Sequence, residues 1–427
     1  MTHDEVNATT PPMHALLLDA HLKSSLVAIR SMGEKGIPVC AGSHRGSAMG
    51  LYSRYVTSSF VYPSPLDDRA GFVEAVKRRA EKLGKCVVFT FSDSTMLPVV
   101  DNYQFFRPSL FCALPSSAED FKTAFDKGLT LKLAEELGVE VPETFWCRAP
   151  DELEAISRKL GYPIVLKPRR SVYWDGNSGF QTTSIFAYSA SDLEVKFNNL
   201  LRKTGEIPIL QKYIEGEETG VEFVSQNGRP IAACAHRRLR SASPTGGAGV
   251  ITETVPMDYY GTGIRAQRLI AALHWSGPAM VEFKICKRTG IPKLMEINGR
   301  FWGSLPLAIA AGIDFPHLYY RLVCGENVSV KQAYKFWLIS RHFWGDLANL
   351  RSALFHRDPM YHATCRSRLN AIRAFLSFPS CSPAVFDRRD VKPTLAEIVD
   401  TARVILTNRL GAPIAGRQRA ENYRDLH

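Results

Sequence analysis

The chain has 427 residues, 45% of them hydrophobic and 22% charged, and a formal net charge of +11. That composition is ordinary for a globular protein and long enough for two or three cored units. No uninterrupted apolar run approaches the roughly 18 residues that a membrane span needs, and the polar start MTHDEVNATTPPM lacks the basic-then-apolar design of a signal peptide. The nine cysteines are scattered without a CxxC pair, which points to reduced thiols in a cytoplasm and away from a disulfide framework or zinc site.

In chain order, HALLLDA, SSLVAIRSMGEKG and IPVCAG within residues 14–41 read as strand, helix and strand. A further apolar run, KCVVFTF (85–91), stops at Ser92-Asp93, where a helix can begin. Alternating elements of this kind predict an open, mostly parallel sheet over residues 1–114. No GxGxxG follows the first strand, so a dinucleotide fingerprint is absent. SSAEDFKTAFDKGLTLKLAEELGVEVPETF (116–145) predicts a capped short helix, a second helix ending at Gly138 and an extended stretch. GYPIVLKPRR (161–170) is a buried strand with Lys167 near its end. Antiparallel strands with a turn at Asn227-Gly228 follow over 207–238, then SASPTGGAGV (241–250) as a flexible loop. Residues 263–274 are a helix, and AMVEFKIC with IPKLMEIN form a hairpin around Lys287–Gly290. LPLAIAAG and DFPHLYYRLVCG are helices. From Lys331 onward the chain is mainly helical and carries 16 basic against 8 acidic residues.

Chemistry concentrates on the hairpin. In KLMEINGRFWGS (293–304), alternation puts Glu296 and Asn298 on one face and Met295 and Ile297 on the other. A turn centred near Thr289 sets Glu282 directly opposite Glu296. Two carboxylates facing across a ladder repel, so the pairing makes sense with a cation between them, Asn298 adding a neutral oxygen. An all-oxygen set of this size suits Mg²⁺, which completes its shell with water and phosphate; a solvated pair of acids is the bland alternative. Lys167 and Lys127, the latter at a helix start in FDKGLT, read either as surface lysines or as point charges for phosphate. The loop RRSVYWDGNSGF (169–180) has two glycines and is a weak candidate for folding over phosphates. QKYIEGEETGVEF (211–223) is a strand, turn and strand able to present backbone groups to an adenine edge.

The succession FDKGLTLKLAEELGVEVPET, GYPIVLKP, LQKYIEGEETGVEF, VEFKI and MEINGRFWGS resembles the ATP-grasp superfamily, most of all bacterial carboxylate–amine ligases and D-aspartate ligase-like members. The resemblance runs from about residue 14 to 325. It implies a preATP-grasp open parallel α/β domain (1–114), a two-subdomain ATP-grasp fold (115–325, lid about 140–213) and a basic, mainly helical C-terminal extension (326–427). It implies ATP and Mg²⁺ (two ions, with Mn²⁺ an alternative), and an amide- or peptide-forming ligase that works through an acyl phosphate and releases ADP and phosphate. By the same resemblance Lys127 and Lys167 hold phosphates, Gln211, Lys212, Tyr213 and Ile214 meet adenine, and Glu218 meets ribose. Glu282, Glu296 and Asn298 hold the metal, and Arg300 faces the transferred phosphate. Arg237, Arg238 or Arg240 meets the carboxylate substrate; Arg238 and Ser304 are the substrate-side candidates carried forward. Phe301 and Trp302 read as packing that fixes the turn.

The expected partners are a small carboxylic acid and an amine. Nucleic acid is disfavoured because the basic tail lacks a recognisable motif. WLISRHFWGDLANLRSALF (337–355) mixes apolar, aromatic and basic residues at near-helical spacing, which suits packing on its own domain first and a membrane surface second. The competing functions are a kinase that stops at a phosphorylated product and a non-catalytic nucleotide- or nucleic-acid-binding protein.

Overall fold

The computed structural model describes residues 13–102, 104, 110–111, 118–147, 152–243, 246–328, 333–355, 368–377 and 381–410. The first unit carries β1 (His14–Leu17), β2 (Val39–Ser43), β3 (Val56–Val61), β4 (Cys86–Phe89) and β5 (Leu110–Phe111). They pair in parallel in the order β3-β2-β1-β4-β5. The helices α1 (Lys23–Glu34), α2 (Arg69–Leu83) and α3 (Asp93–Asp101) supply the crossovers, and β2 and β4 are buried throughout, as parallel strands covered on both faces must be. Strand order reverses between β1 and β4. Asp19 ties that point together: its carboxylate accepts hydrogen bonds from Phe91 N at 3.0 Å and Thr95 Oγ1 at 2.6 Å. Ser92 caps α3 by accepting from Thr95 N, where the sequence placed a helix start.

The second unit begins with α4 (Ala118–Phe125) and α5 (Lys127–Glu136). Asp126 caps α5 by accepting from Gly128 N and Leu129 N; the expected cap of the preceding helix at Ser116–Ser117 lies outside the described residues. Next come β6 (Thr144–Trp146), α6 (Glu152–Leu160), β7 (Ile164–Lys167), β8 (Val172–Asp175), β9 (Ser178–Gln181), β10 (Ile185–Ala187), α7 (Ala190–Thr204) and β11 (Ile209–Lys212). The order β10-β7-β11-β6 makes a four-stranded antiparallel sheet. Leu153, Ile156 and Leu160 of α6 and Phe197 of α7 pack on Ile164 and Leu166 of that sheet.

The largest sheet follows: β12 (Gly216–Gln226), β13 (Arg229–Ser243), β14 (Gly246–Val255), β15 (Gly277–Cys286) and β16 (Pro292–Asn298). Between them lies α8 (Thr262–Ala272); α9 (Leu305–Ala310) and α10 (Phe315–Val323) come after. Asn227 and Gly228 both take positive φ, 49° and 77°, as a tight two-residue hairpin turn requires. The stretch 241–250 is not a flexible loop. Outside Pro244–Thr245, which are not described, it is paired strand: Arg240 opposes Ile251 and Ser241 opposes Gly249, and Asn349 Nδ2 donates to Ser241 O at 2.8 Å. Small residues without alternation hid this ladder, which shifts register three times.

Beyond residue 326 come β17 (Ile339–Arg341), α11 (Phe343–Phe355), α12 (Arg368–Leu376), β18 (Ser382–Pro383) and α13 (Lys392–Leu410). This part is helical, as expected, but its two short strands extend the main sheet to seven, in the order β16-β15-β12-β13-β14-β17-β18. It also fastens to the first unit through a buried ion pair. Arg30 Nε donates to Asp390 Oδ2 at 2.9 Å, and Ser53 Oγ and Arg54 N donate to the same carboxylate at 2.7 and 2.9 Å. Removing one member of a buried, fully bonded pair strands the other. Asp390→Ala should therefore lower unfolding free energy by about 3–5 kcal/mol in urea melts.

Candidate active site

One face of the main sheet is apolar: Val221, Phe223, Val281, Phe283, Leu294 and Ile297 enter a core with α8 and α4. The strand period then forces residues 218, 220 and 222 of β12, and 280, 282 and 284 of β15, onto the opposite face. Registers arrange that face in rows. His236, Gly220, Glu282 and Glu296 form one; Cys234, Glu222, Met280 and Asn298 form the next. Glu282 opposes Glu296 as the hairpin spacing predicted. Met295 departs from expectation. A β-bulge after Glu282 pairs Phe283 with Leu294, so Leu294 and Ile297 take the core positions and Met295 lies outside the core, Sδ 3.9 Å from Lys167 Nζ. An inserted residue breaks simple alternation.

The two carboxylates share Asn298, whose Nδ2 donates to Glu282 Oε1 at 3.1 Å and Glu296 Oε1 at 3.3 Å. Lys127 Nζ lies 3.2 Å from Glu296 Oε2. Arg238 lies 2.6 Å from Glu282 Oε2 and 3.0 Å from Glu218 Oε2. Their acidities diverge. Burial raises Glu282 above the usual range even against the pull of Arg238. Burial would raise Glu296 too, but Lys127 and Lys167 outweigh it and hold that carboxyl down to about 2. Lys167 is 9% exposed, and burial lowers its ammonium to about 8 despite the attraction of Glu296. Among the described residues no carboxylate forms an ion pair with it.

Arg300 reaches the same place from the first unit's side. Its Nε donates to Asp93 Oδ1 at 2.5 Å and its Nη2 to Asn298 Oδ1 at 3.0 Å. Asp93 opens α3 immediately after β4, at the point where strand order reverses. Open α/β sheets place ligands outside their strand ends at such a point. Phe301 and Trp302 are fully buried, and Phe301 stacks on Phe89 and Phe91 of the first unit; they fix the turn after β16 as expected.

The hinge candidates lie at the other end. Lys212, Tyr213 and Ile214 line a cleft of about 690 Å³ shared with Cys286 and Ile291 at the far end of the hairpin; the two metal-candidate carboxylates do not line it. Gln211 is buried and its Nε2 donates to Thr144 Oγ1 at 3.0 Å. Glu218 is engaged by Arg238 and lies 3.7 Å from Lys284. Residues 172–181 form the β8–β9 hairpin, and its tip docks on the first unit: Ala70 N donates to Asn177 Oδ1 and Trp174 Nε1 to Pro65 O.

Of the three arginines, Arg237 binds Glu217 and Glu253 and Arg240 binds buried Asp346. Arg238 alone of the three meets the site carboxylates. Ser304 Oγ donates to buried Glu222 Oε1 at 2.9 Å, and the same oxygen lies 2.9 Å from His236 Nδ1. Gly220 makes room for that imidazole, because a Cβ there would sit 2.5 Å from His236 Cε1.

Residues 206–338 match the family described as "ATP-grasp in the biosynthetic pathway with Ter operon". That segment contains the hinge candidates, both carboxylates, Asn298 and Arg300. The segment is similar to an ATP-grasp family, and the chain has the fold of ATP-grasp proteins. Solved ATP-grasp neighbours agree over most of its length. The biotin carboxylase domain of Hydrogenobacter thermophilus 2-oxoglutarate carboxylase, solved with MgADP, ADP and bicarbonate, has a TM-score of 0.59 at 15% identity and covers 77% of this chain and 73% of its own. L-amino acid ligase from Bacillus licheniformis has a TM-score of 0.53 at 17% identity, covering 74% and 75%. Among curated proteins, multifunctional protein URA2 of Saccharomyces cerevisiae is 24% identical over 201 residues, 45% of this chain and 9% of that protein. The carbamoyl phosphate synthase large chain of Methanothrix thermoacetophila is 22% identical over 222 residues, 50% and 20% respectively. The match thus spans a small part of these longer relatives.

For an ATP-grasp fold the two facing carboxylates suit a hard divalent ion, the rest of its shell being left to water and phosphate, as Mg²⁺ prefers. Asn298 turns its amide nitrogen toward both carboxylates and its oxygen toward Arg300 Nη2, so its oxygen would join them only with the amide turned over; among the described residues no group of three His, Cys, Asp or Glu has metal-holding geometry. Sequence reasoning missed Asp93 and the Glu222–His236 pair. Asp93 stands 207 positions from Arg300, and His236 was legible only once the Gly220 register was known. Buried Lys167 gives a test of the site's electrostatics. Its folded-state pKa lies below the unfolded 10.5, so its charged form costs stability below about pH 8, and that cost is relieved as pH rises toward 10.5. Lys167→Met should stabilise the ligand-free protein at neutral pH by about 1–3 kcal/mol. In urea melts it should also flatten the rise in stability between pH 8 and 10.5.

Proposed function

We propose that the chain is an ATP- and Mg²⁺-dependent, ADP-forming ligase that activates a small carboxylic acid as an acyl phosphate and joins it to an amine. The observation that carries this reading is the opposition of Glu282 and Glu296, sharing Asn298 and backed by Lys127 and by the buried Lys167, which has no carboxylate ion pair among the described residues. A cation site beside an unneutralised ammonium suits a polyphosphate better than it suits a structural ion pair. The solved neighbour that holds MgADP and bicarbonate supports the same nucleotide and a carboxylate-like co-substrate.

Glu282, Glu296 and Asn298 would hold Mg²⁺, one ion or two, with Mn²⁺ able to substitute; the bound ion supplies charge neutralisation for phosphate oxygens. Lys167 and Lys127 take the phosphates as point charges, and Arg300, held in place by Asp93, faces the phosphoryl group in transfer. A carboxylate oxygen of the acid attacks the γ-phosphorus of ATP; the bond to the β-phosphate oxygen breaks and ADP leaves. The amine nitrogen then attacks the carbonyl carbon of the acyl phosphate, phosphate departs, and the nitrogen gives up a proton. Arg238, which pairs with Glu282 and Glu218, would receive the substrate carboxylate, and Ser304, bonded to Glu222, is the second substrate-side candidate. Tyr213, Ile214 and the backbone of 211–214 would receive adenine, and Glu218 the ribose.

Two outcomes check the assignment. Glu296→Gln should keep its melting transition and lose ADP release in a screen of paired amino acids, small carboxylic acids and amines, with products read by mass spectrometry. Unchanged turnover would remove Glu296 from the metal seat. Lys167→Ala should weaken ATP binding about 10–100-fold in calorimetry, the cost of losing a charge-assisted contact. A stable phosphorylated product formed without an amine would replace the ligase reading with a kinase.

A further inference from the structure

The two helices α11 and α12 pack on one another yet leave an apolar face uncovered. On α12, Leu369, Ile372, Arg373 and Leu376 recur at the i, i+3, i+4, i+7 spacing of one helical stripe. That stripe normally turns inward; here all four residues are exposed, Leu369 at 55%, Ile372 at 40% and Leu376 at 69%. The side of α12 that is buried carries Ala371. On α11, Ala348, Arg351 and Phe355 form an exposed line at i, i+3 and i+7, and Phe355 is 77% exposed.

This face is held firmly in place. Asp346 on α11 is fully buried between Arg240 of β13 and Arg341 of β17, each at 2.5 Å. The same two arginines donate to the carbonyls of Ala374 and Phe375 on α12, at 2.7 and 2.9 Å. Buried ionic groups therefore fix both helices to the main sheet with their apolar residues pointing out.

The exposed charges on these helices are all of one sign. Arg351, Arg368 and Arg373 are exposed, and none pairs with a carboxylate among the described residues. The only acid on either helix is Asp346, which is buried and consumed. Self-pairing of this face across a two-fold axis would bring like charges together. Apolar residues flanked by unopposed arginines match an anionic lipid surface, where leucine, isoleucine and phenylalanine enter the acyl boundary and arginines meet headgroups. No described helix is long and apolar enough to cross a membrane, so the contact would lie on the surface.

We propose that α11 and α12 form a docking face for an anionic lipid bilayer, with Leu369, Ile372, Leu376 and Phe355 inserting and Arg351, Arg368 and Arg373 pairing with headgroups. The test is co-sedimentation of the full chain with vesicles of phosphatidylcholine alone and of phosphatidylcholine mixed with phosphatidylserine, at low and high salt. Pelleting with the mixed vesicles only, weakened by salt, is expected. Arg351→Gln/Arg368→Gln/Arg373→Gln and, separately, Leu369→Ser/Leu376→Ser should each lower partition about tenfold or more. Both should leave the melting temperature in place, since the residues are exposed. Failure of the full chain to pellet at low salt overturns the proposal, as does wild-type partition of both variants. A dimer that the leucine variant converts to monomer in light scattering, without vesicle binding, would assign the face to self-association instead.

Discussion

Two negative groups placed opposite one another on adjacent strands cannot persist without positive company, and much of this structure serves that requirement. Glu282 and Glu296 draw Arg238 from β13, Lys127 from the start of α5, Lys167 from β7 and the Asn298 amide from β16. Each attracted group comes from a different element, so the charge pair gathers the main sheet, the four-stranded sheet and α5 around one spot. The divergence of the two carboxyls follows: Glu296 sits among lysines and stays ionised far into acid, while Glu282, more deeply desolvated, is pushed the other way.

The first unit contributes through Arg300. Asp93 begins a helix at the strand-order reversal of the parallel sheet, and that carboxylate holds the arginine against Asn298. Phe301 and Trp302, just beyond, are buried against Phe89, Phe91 and Phe315. The aromatic pair thus joins the two units, and the arginine between that joint and the carboxylates is held from both sides. Such placement of a charged group by its neighbours is what the phosphoryl-transfer role proposed for Arg300 requires.

Much of this was legible in the amino-acid order. The parallel βα units, the helix starts at Lys127 and Asp93, the Asn227-Gly228 turn and the Glu282–Glu296 pairing all follow from local spacing and turn chemistry. What stayed hidden depends on distant or irregular contacts. Met295 left the core because one extra residue bulges from β16. The strand character of 241–250 came from a partner strand and from Asn349, not from its own small residues. The Asp93–Arg300 and Glu222–His236 contacts need a fold to bring them together, and no spacing rule reaches that far.

The buried Arg30–Asp390 contact also bears on how the two ends of the described chain depend on one another. With β17 paired to β14 and β18 paired to β17, the last hundred residues complete a sheet edge and neutralise a charge inside the first unit. A chain cut near residue 330 would expose the β14 edge and strip Arg30 of its bonds to Asp390 and Val385 O. The terminal segment is therefore not an appendage on a self-sufficient catalytic core. It and the first unit are joined by bonds from both ends of the chain, so a replacement of one end would have to keep Arg30 and Asp390 matched.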